Sequence, residues 1–267
     1  EGKKQKGLTK EDYLTTFSNV VEEVYKAFFA CQIPCEILSV DEMVTYLYST
    51  ISMNRRTLRL PKHPLLLDQF LCDSALSGGL EPRLGRKHMR VVTIIGYMDN
   101  TIFGIFDGLN LQNFSYRWIS RYYCLSKLDA LDAVSKKTKE WKAKFKSLMD
   151  MLREFASGQE DNSNINQTAV AKYQQAKSAE GLIESDMTSF GYYTSCVILG
   201  NSPDEADMRA KAVVQTINNI GFKAKIEDLN SVDAWMGTLP GNVGRNVRRH
   251  LVSCSNLVHM MPLALAW

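Results

Sequence analysis

Apolar side chains recur every three or four positions from residue 10 to 31, at Phe17, Val20, Val21, Val24, Phe28 and Cys31. That spacing gathers them on one side of a helix, and Pro34 stops it. Ser39 with Glu42 three residues on reads as a capping box for a second helix, striped by Met43, Val44, Leu47 and Ile51. Pro61 and Pro64 break the chain, a short helix is expected over 65–72, and Gly78, Gly79, Pro82 and Gly85 mark a loop. Residues 89–98, rich in Val and Ile, read as a strand. A short helix follows over 103–112, then an aromatic, partly alternating strand over 114–125.

Ser126 heads the longest helical pattern, 126–157, in which Leu131, Val134, Thr138, Trp141, Phe145 and Leu148 keep near-heptad spacing. The stretch 157–164 is polar and turn-like. A second helix over 166–185, with Ala169, Tyr173, Ala176 and Ile183 on one face, completes an antiparallel helical hairpin. Residues 190–199 read as a strand. Ser202-Pro203-Asp204-Glu205 is a strong helix start, the helix runs over 203–220, and Gly221 stands where a left-handed cap is expected. A strand over 222–228 and a short helix capped by Ser231 follow.

With the hairpin set aside, the order is β-α-β-β-α-β, which predicts an α+β fold with a ferredoxin-like core. The expected organisation is an α-rich N-terminal lobe over 1–75 and an α+β core over 76–239 with the hairpin 126–186 inserted. A linker would occupy 240–267, leading into further chain.

Composition adds little. The 267 residues carry a net charge of +3, too small to imply a nucleic-acid partner. The basic runs 136–146 and 245–249 and the acidic run 204–207 are local exceptions. The six cysteines are scattered without a Cys-x-x-Cys, as in a reducing compartment, and no apolar run is long enough to span a membrane.

Candidate chemistry is sparse. Gly79 to Lys87 has the wrong spacing for a phosphate loop, and Gly-x4-Gly-Lys-Ser/Thr occurs nowhere. The four histidines lack ligand spacing, so no metal is expected. Phe114, Tyr116 and Trp118, with Phe190, Tyr192 and Tyr193, would suit either base stacking or a core between sheet and helices, and balanced charge favours the core. Pro240, Gly241 and Asn242 form a turn. Arg245, Asn246, Arg248 and Arg249 follow it, and the guanidinium forks of the three arginines suit a phosphate or an acidic interface as well as solvent. The apolar ending Leu257 to Trp267 is expected to continue into further chain.

The stretches Phe190-Gly191-Tyr192-Tyr193-Thr194, Ala234-Trp235-Met236-Gly237-Thr238-Leu239-Pro240-Gly241, Asn246-Val247-Arg248-Arg249, Ser255-Asn256-Leu257 and Met261-Pro262-Leu263 resemble the CagE/TrbE/VirB family of type IV secretion and conjugation ATPases. Tyr116-Arg117-Trp118-Ile119-Ser120-Arg121-Tyr122 matches more weakly, so the resemblance spans about 90–267. It implies the N-terminal region of a secretion ATPase that powers conjugative DNA or effector translocation and pilus assembly, at the cytoplasmic face of the bacterial inner membrane. ATP and Mg would bind the motor domain, so the fragment itself is expected to be inactive. The implied partners are inner-membrane channel components and other copies of the protein. A single-stranded nucleic-acid-binding module is the alternative.

Overall fold

The computed structural model describes residues 9–52, 54–63, 66–98, 100–155, 167–185, 190–193, 196–242, 244–245 and 248–261. The chain divides into two compact units, Glu1–Thr50 with Asn54–Leu71, and Ile51–Met53 with Cys72–Trp267.

The first unit holds α1 (Lys10–Ala30), α2 (Val40–Ile51) and α3 (Leu67–Leu71). The expected capping box opens α2: Glu42 accepts from the backbone and hydroxyl of Ser39. Residues 58–60 are pinned along this helix, because Leu58 N donates to Thr45 Oγ1 at 3.0 Å and Leu60 N to Asp41 Oδ1 at 2.8 Å. Val44, Tyr48 and Leu58 are buried. Helix α1 is equally well capped, by Thr9 and Asp12 reciprocally, yet contains no buried residue. Its periodicity made the helix, but its apolar side chains lie open.

The second unit is mixed helix and antiparallel sheet, an α+β fold. In chain order it contains β1 (Leu76–Ser77), β2 (Arg83–Leu84), β3 (Lys87–Gly96), a 3-10 turn (Asp107–Leu111), β4 (Tyr116–Trp118) and β5 (Tyr123–Cys124). Then come α4 (Lys127–Phe155), α5 (Gln167–Glu184), β6 (Phe190–Tyr193), β7 (Cys196–Gly200), α6 (Pro203–Asn219), β8 (Lys223–Ile226), α7 (Ser231–Met236), β9 (His250–Ser253) and α8 (Cys254–Met260). The larger sheet runs β1-β2-β3-β7-β4, with β8 on β3, every pair antiparallel. The smaller sheet is β5-β6-β9, also antiparallel.

Strand β3 is the spine, buried on both faces. Its Val92 and Ile94 join Ile198, Phe222 and the α6 residues Ala210, Val213 and Ile217 in one cluster. Its Met89 and Val91 point the other way, to Leu84, Ala234 and Trp235. Period-2 alternation thus divides one strand between two cores. Helix α6 starts as expected: Ser202 Oγ accepts from Glu205 N and Pro203 holds the first turn, while Gly221 beyond the helix has φ +96°.

Several expectations needed revision. The aromatic strand expected over 114–125 is two strands in different sheets. The chain turns between them at Ile119–Tyr122, where Trp118 Nε1 donates to Ser120 Oγ at 3.1 Å. The strand expected over 190–199 likewise separates into β6 and β7. Ser231 is not the cap of α7. Asn230 takes that position, and the buried Ser231 hydroxyl donates instead to Glu227 O at 2.5 Å. Within 240–267, expected as a linker, β9 pairs with β6, and Val252 and Met260 are buried in the same cluster as Val92 and Ile217.

Candidate functional site

The residues singled out on the C-terminal turn meet the core through a clasp. Leu239–Asn242 is a tight turn: Asn242 N donates to Leu239 O at 3.2 Å, and Gly241 has φ +78°. Pro240, Gly241 and Asn242 lie on its outside, exposed or half-buried. The turn is held by Arg121, from the bend between β4 and β5. Its Nη1 donates to Asn242 O at 2.6 Å and its Nη2 to Leu239 O. Two carbonyls that close the turn thus share one guanidinium fork. A few residues on, the backbone of Arg245 passes so close to Gly237 that a Cβ there would lie 2.9 Å from Arg245 O.

Three arginines of the turn have different fates. Arg245 pairs with Asp233 of α7 at 2.7 Å, both groups being well exposed. Arg248 reaches inward: its Nε donates to Glu227 Oε1 at 2.7 Å and its Nη2 to Oε2 at 3.0 Å. Glu227, just after β8, is 1% exposed. It also accepts from the hydroxyl of Thr93 on β3. Arg249 is exposed, and no ion pair joins it among the described residues. Asn246 lies outside the described residues.

Burial pushes the Glu227 carboxyl up. The Arg248 hydrogen bonds, the Thr93 hydroxyl and the charges of Arg248 and Lys225 outweigh it, so the carboxyl sits below its ordinary range. The same hydrogen bonds raise Arg248, against the effect of its partial burial. His250, at the start of β9, is depressed by burial and then by the Arg248 charge. Its ring lies 5.1 Å from that of Tyr97, with Nε2 without a partner.

Among the described residues this arrangement offers no nucleophile with an adjacent base, and Arg248 forms both its forked hydrogen bonds with Glu227. Among the described residues no group of His, Cys, Asp and Glu could hold a metal ion. The aromatic residues weighed for base stacking face inward where their side chains are described: Phe114, Tyr116 and Trp118 pack against the α6-side core, and Trp118 lies 5.0 Å from Phe106. The side chains of Phe190, Tyr192 and Tyr193 lie outside the described ones. Sequence reasoning gave no role to Thr93 or Glu227, and met Arg121 and Gly237 only within the family-like stretches, without a function for either.

The hairpin roots beside this clasp. Ala130 and Val134 of α4 pack with Ile183 of α5, and Leu251 of β9 packs against them. Thr138 donates to Glu180 at 2.8 Å and Lys127 Nζ to Glu184 O at 2.9 Å, tying the two helices along their lower half.

Residues 142–248 match the CagE, TrbE, VirB family, described as a component of the type IV transporter system. The match takes in the second half of α4, all of α5, α6 and α7, and the turn as far as Arg248. The chain belongs to this family. Similar proteins within it include a probable conjugal transfer protein TrbE from Sinorhizobium fredii (strain NBRC 101917 / NGR234), 31% identical over 228 residues, which are 85% of this chain and 34% of that protein. The conjugal transfer protein TrbE from Rhizobium radiobacter is 30% identical over 229 residues, 85% of this chain and 27% of its own length. The chain thus spans about a third of the length of the curated relatives it matches. Among the described residues no helix is long and apolar enough to cross a membrane.

Proposed function

We propose that this chain acts as the non-catalytic N-terminal domain of a type IV secretion ATPase. It docks the motor to inner-membrane channel components and to neighbouring subunits, in conjugative DNA or effector translocation and pilus assembly. The observation that carries the reading is the clasp. Arg121 on the turn and Arg248 on Glu227 couple residues 239–250 to the central sheet, so a displacement of the turn is passed to the sheet instead of being absorbed by a loose linker. The relatives' role in conjugal transfer supplies the context. Arg249, exposed beside the clasp, is the arginine best available to an acidic surface on the motor or a partner. The protein then works peripherally at the cytoplasmic face of the inner membrane.

This chain's residues do not fit ATP and Mg themselves. Its sequence lacks Gly-x4-Gly-Lys-Ser/Thr, and Arg248 is committed to Glu227. In this reading nucleotide chemistry belongs to a motor elsewhere in the full-length protein. We also read the strand order β8-β3-β7-β4 as a ferredoxin-like core, with the 3-10 turn in place of the first helix and α6 as the second. Its support is the chain order together with the wholly antiparallel pairing.

The test is capture from detergent-solubilised membranes of a conjugative host. The tagged chain is expected to retain inner-membrane channel components, and an Arg248→Ala chain to retain less. Steady ATP turnover by the pure chain would overturn the reading. So would tight binding of labelled single-stranded DNA that weakens steeply between two salt concentrations, the signature of the nucleic-acid alternative.

A further inference from the structure

The largest unexplained surface is helix α1. Tyr13, Leu14, Phe17, Val20, Val24 and Phe28 form one stripe along it, each between 43% (Phe28) and 66% (Phe17) exposed. Soluble proteins seldom leave a continuous apolar stripe of this length in water. The stripe has a heptad register: Phe17, Val24 and Cys31 are seven apart, as are Tyr13, Val20 and Ala27. A 3.5-residue repeat is the pattern that another helix carrying the same repeat fills.

We infer that α1 is a homotypic docking surface, pairing antiparallel with α1 of a second copy of this chain. This deepens the function proposed above in one respect, the contact between neighbouring copies. Its failure would leave docking to the channel untouched. Three observations select this occupant. The first is area: with aromatic side chains of ~200 Å² each, the exposed parts of the stripe amount to roughly 600 Å² per copy. Two copies then bury about 1,200 Å², the lower bound of a stable interface.

Charge is the second. Glu11, Asp12, Glu22 and Glu23 outnumber Lys10 and Lys26 on this helix, which disfavours an anionic membrane surface. Antiparallel pairing opposes the two helix dipoles. Parallel pairing would stack Lys10 on Lys10.

The third is shape. About a midpoint between Val20 and Val21, Phe17 faces the partner's Val24 and Tyr13 its Phe28, so that large meets smaller near the middle of the seam. The same register leaves Cys31 about 30 Å from its counterpart.

The experiment is light scattering of the full chain across ~1–100 µM, with circular dichroism alongside. The native chain is expected to double in mass over this range. A Phe17→Glu/Val24→Glu chain should stay monomeric with unchanged helicity, because neither side chain is buried. A native chain monomeric at ~100 µM overturns the inference, as does a dimer that survives the double substitution. Oxidation should give no Cys31–Cys31 disulfide in peptide mapping, and its rapid formation would overturn the antiparallel pairing. Flotation with phosphatidylglycerol vesicles should leave the chain unbound. Binding lost on Phe17→Glu/Val24→Glu would show that a membrane, not a second copy, covers α1.

Discussion

Helix α1 and the arginine turn exchange the roles that their compositions suggest. The helix is apolar and periodic, the pattern of a core element, and buries nothing. The turn is rich in Arg, Asn and Gly, the composition of a solvated loop, yet it contacts the most buried carboxylate described, Glu227. Composition states what a side chain can pair with; burial depends on whether the fold supplies the partner. Thr93 and the end of β8 bring a carboxylate to Arg248, while among the described residues nothing in the first unit covers Phe17.

The largest test of that contrast is Arg248→Ala. It strands the Glu227 carboxylate in the core, and loss of one partner of a buried pair costs about 3–5 kcal/mol. Urea unfolding should move by that amount, and a shift under ~1 kcal/mol would mean the clasp is solvated in solution. Gly237→Ala comes next. Its new methyl meets the backbone of Arg245, and forced overpacking costs typically ~1–3 kcal/mol. The same measurement on Gly244→Ala, where a Cβ meets nothing, should give a smaller change.

Acid should separate the two regions further. His250 has a lowered folded-state pKa, so its contribution is complete above its ordinary value of 6.5 and is lost as pH falls through the folded value. Glu227, also lowered, contributes fully above its ordinary 4.5 and loses that contribution at still lower pH. Both act in one direction, and the second unit should weaken in two stages below pH 6.5, the later one absent in Glu227→Gln. Fluorescence-monitored unfolding at stepped pH reads this directly. The smallest effect belongs to α1. At concentrations too low for association, Phe17→Ala should change stability by within ~0.5 kcal/mol, as exposed substitutions do. A loss of about 2 kcal/mol or more would mean that the stripe is covered within a single chain.

Local signals were legible in the sequence wherever a few neighbouring residues decide the outcome. The caps at Ser39, Ser126 and Ser202, the turn at Gly221 and the hairpin helices were all readable in this way. The break in the aromatic strand was not, because it depends on Arg121 finding the carbonyls of Leu239 and Asn242 more than a hundred residues away. Strand β9 was hidden for a similar reason. Four residues carry little periodicity, and their place is set by β6. The arginines were visible as a cluster, but which of them has a partner depends on Glu227 and Asp233, which no spacing rule connects to them.

The smaller sheet gives the hairpin mechanical leverage. Strand β5 runs into α4, β6 leaves α5, and β9 lies against β6. Both legs of the arm are therefore anchored in the same three-stranded plate as the strand that follows the clasp. The 29 residues of α4 reach about 43 Å. A tilt of that plate by some ~5° would swing the far end by roughly 4 Å while moving Leu251 by only a fraction of an ångström. A force applied at the distal end would reach β9 amplified by the same ratio.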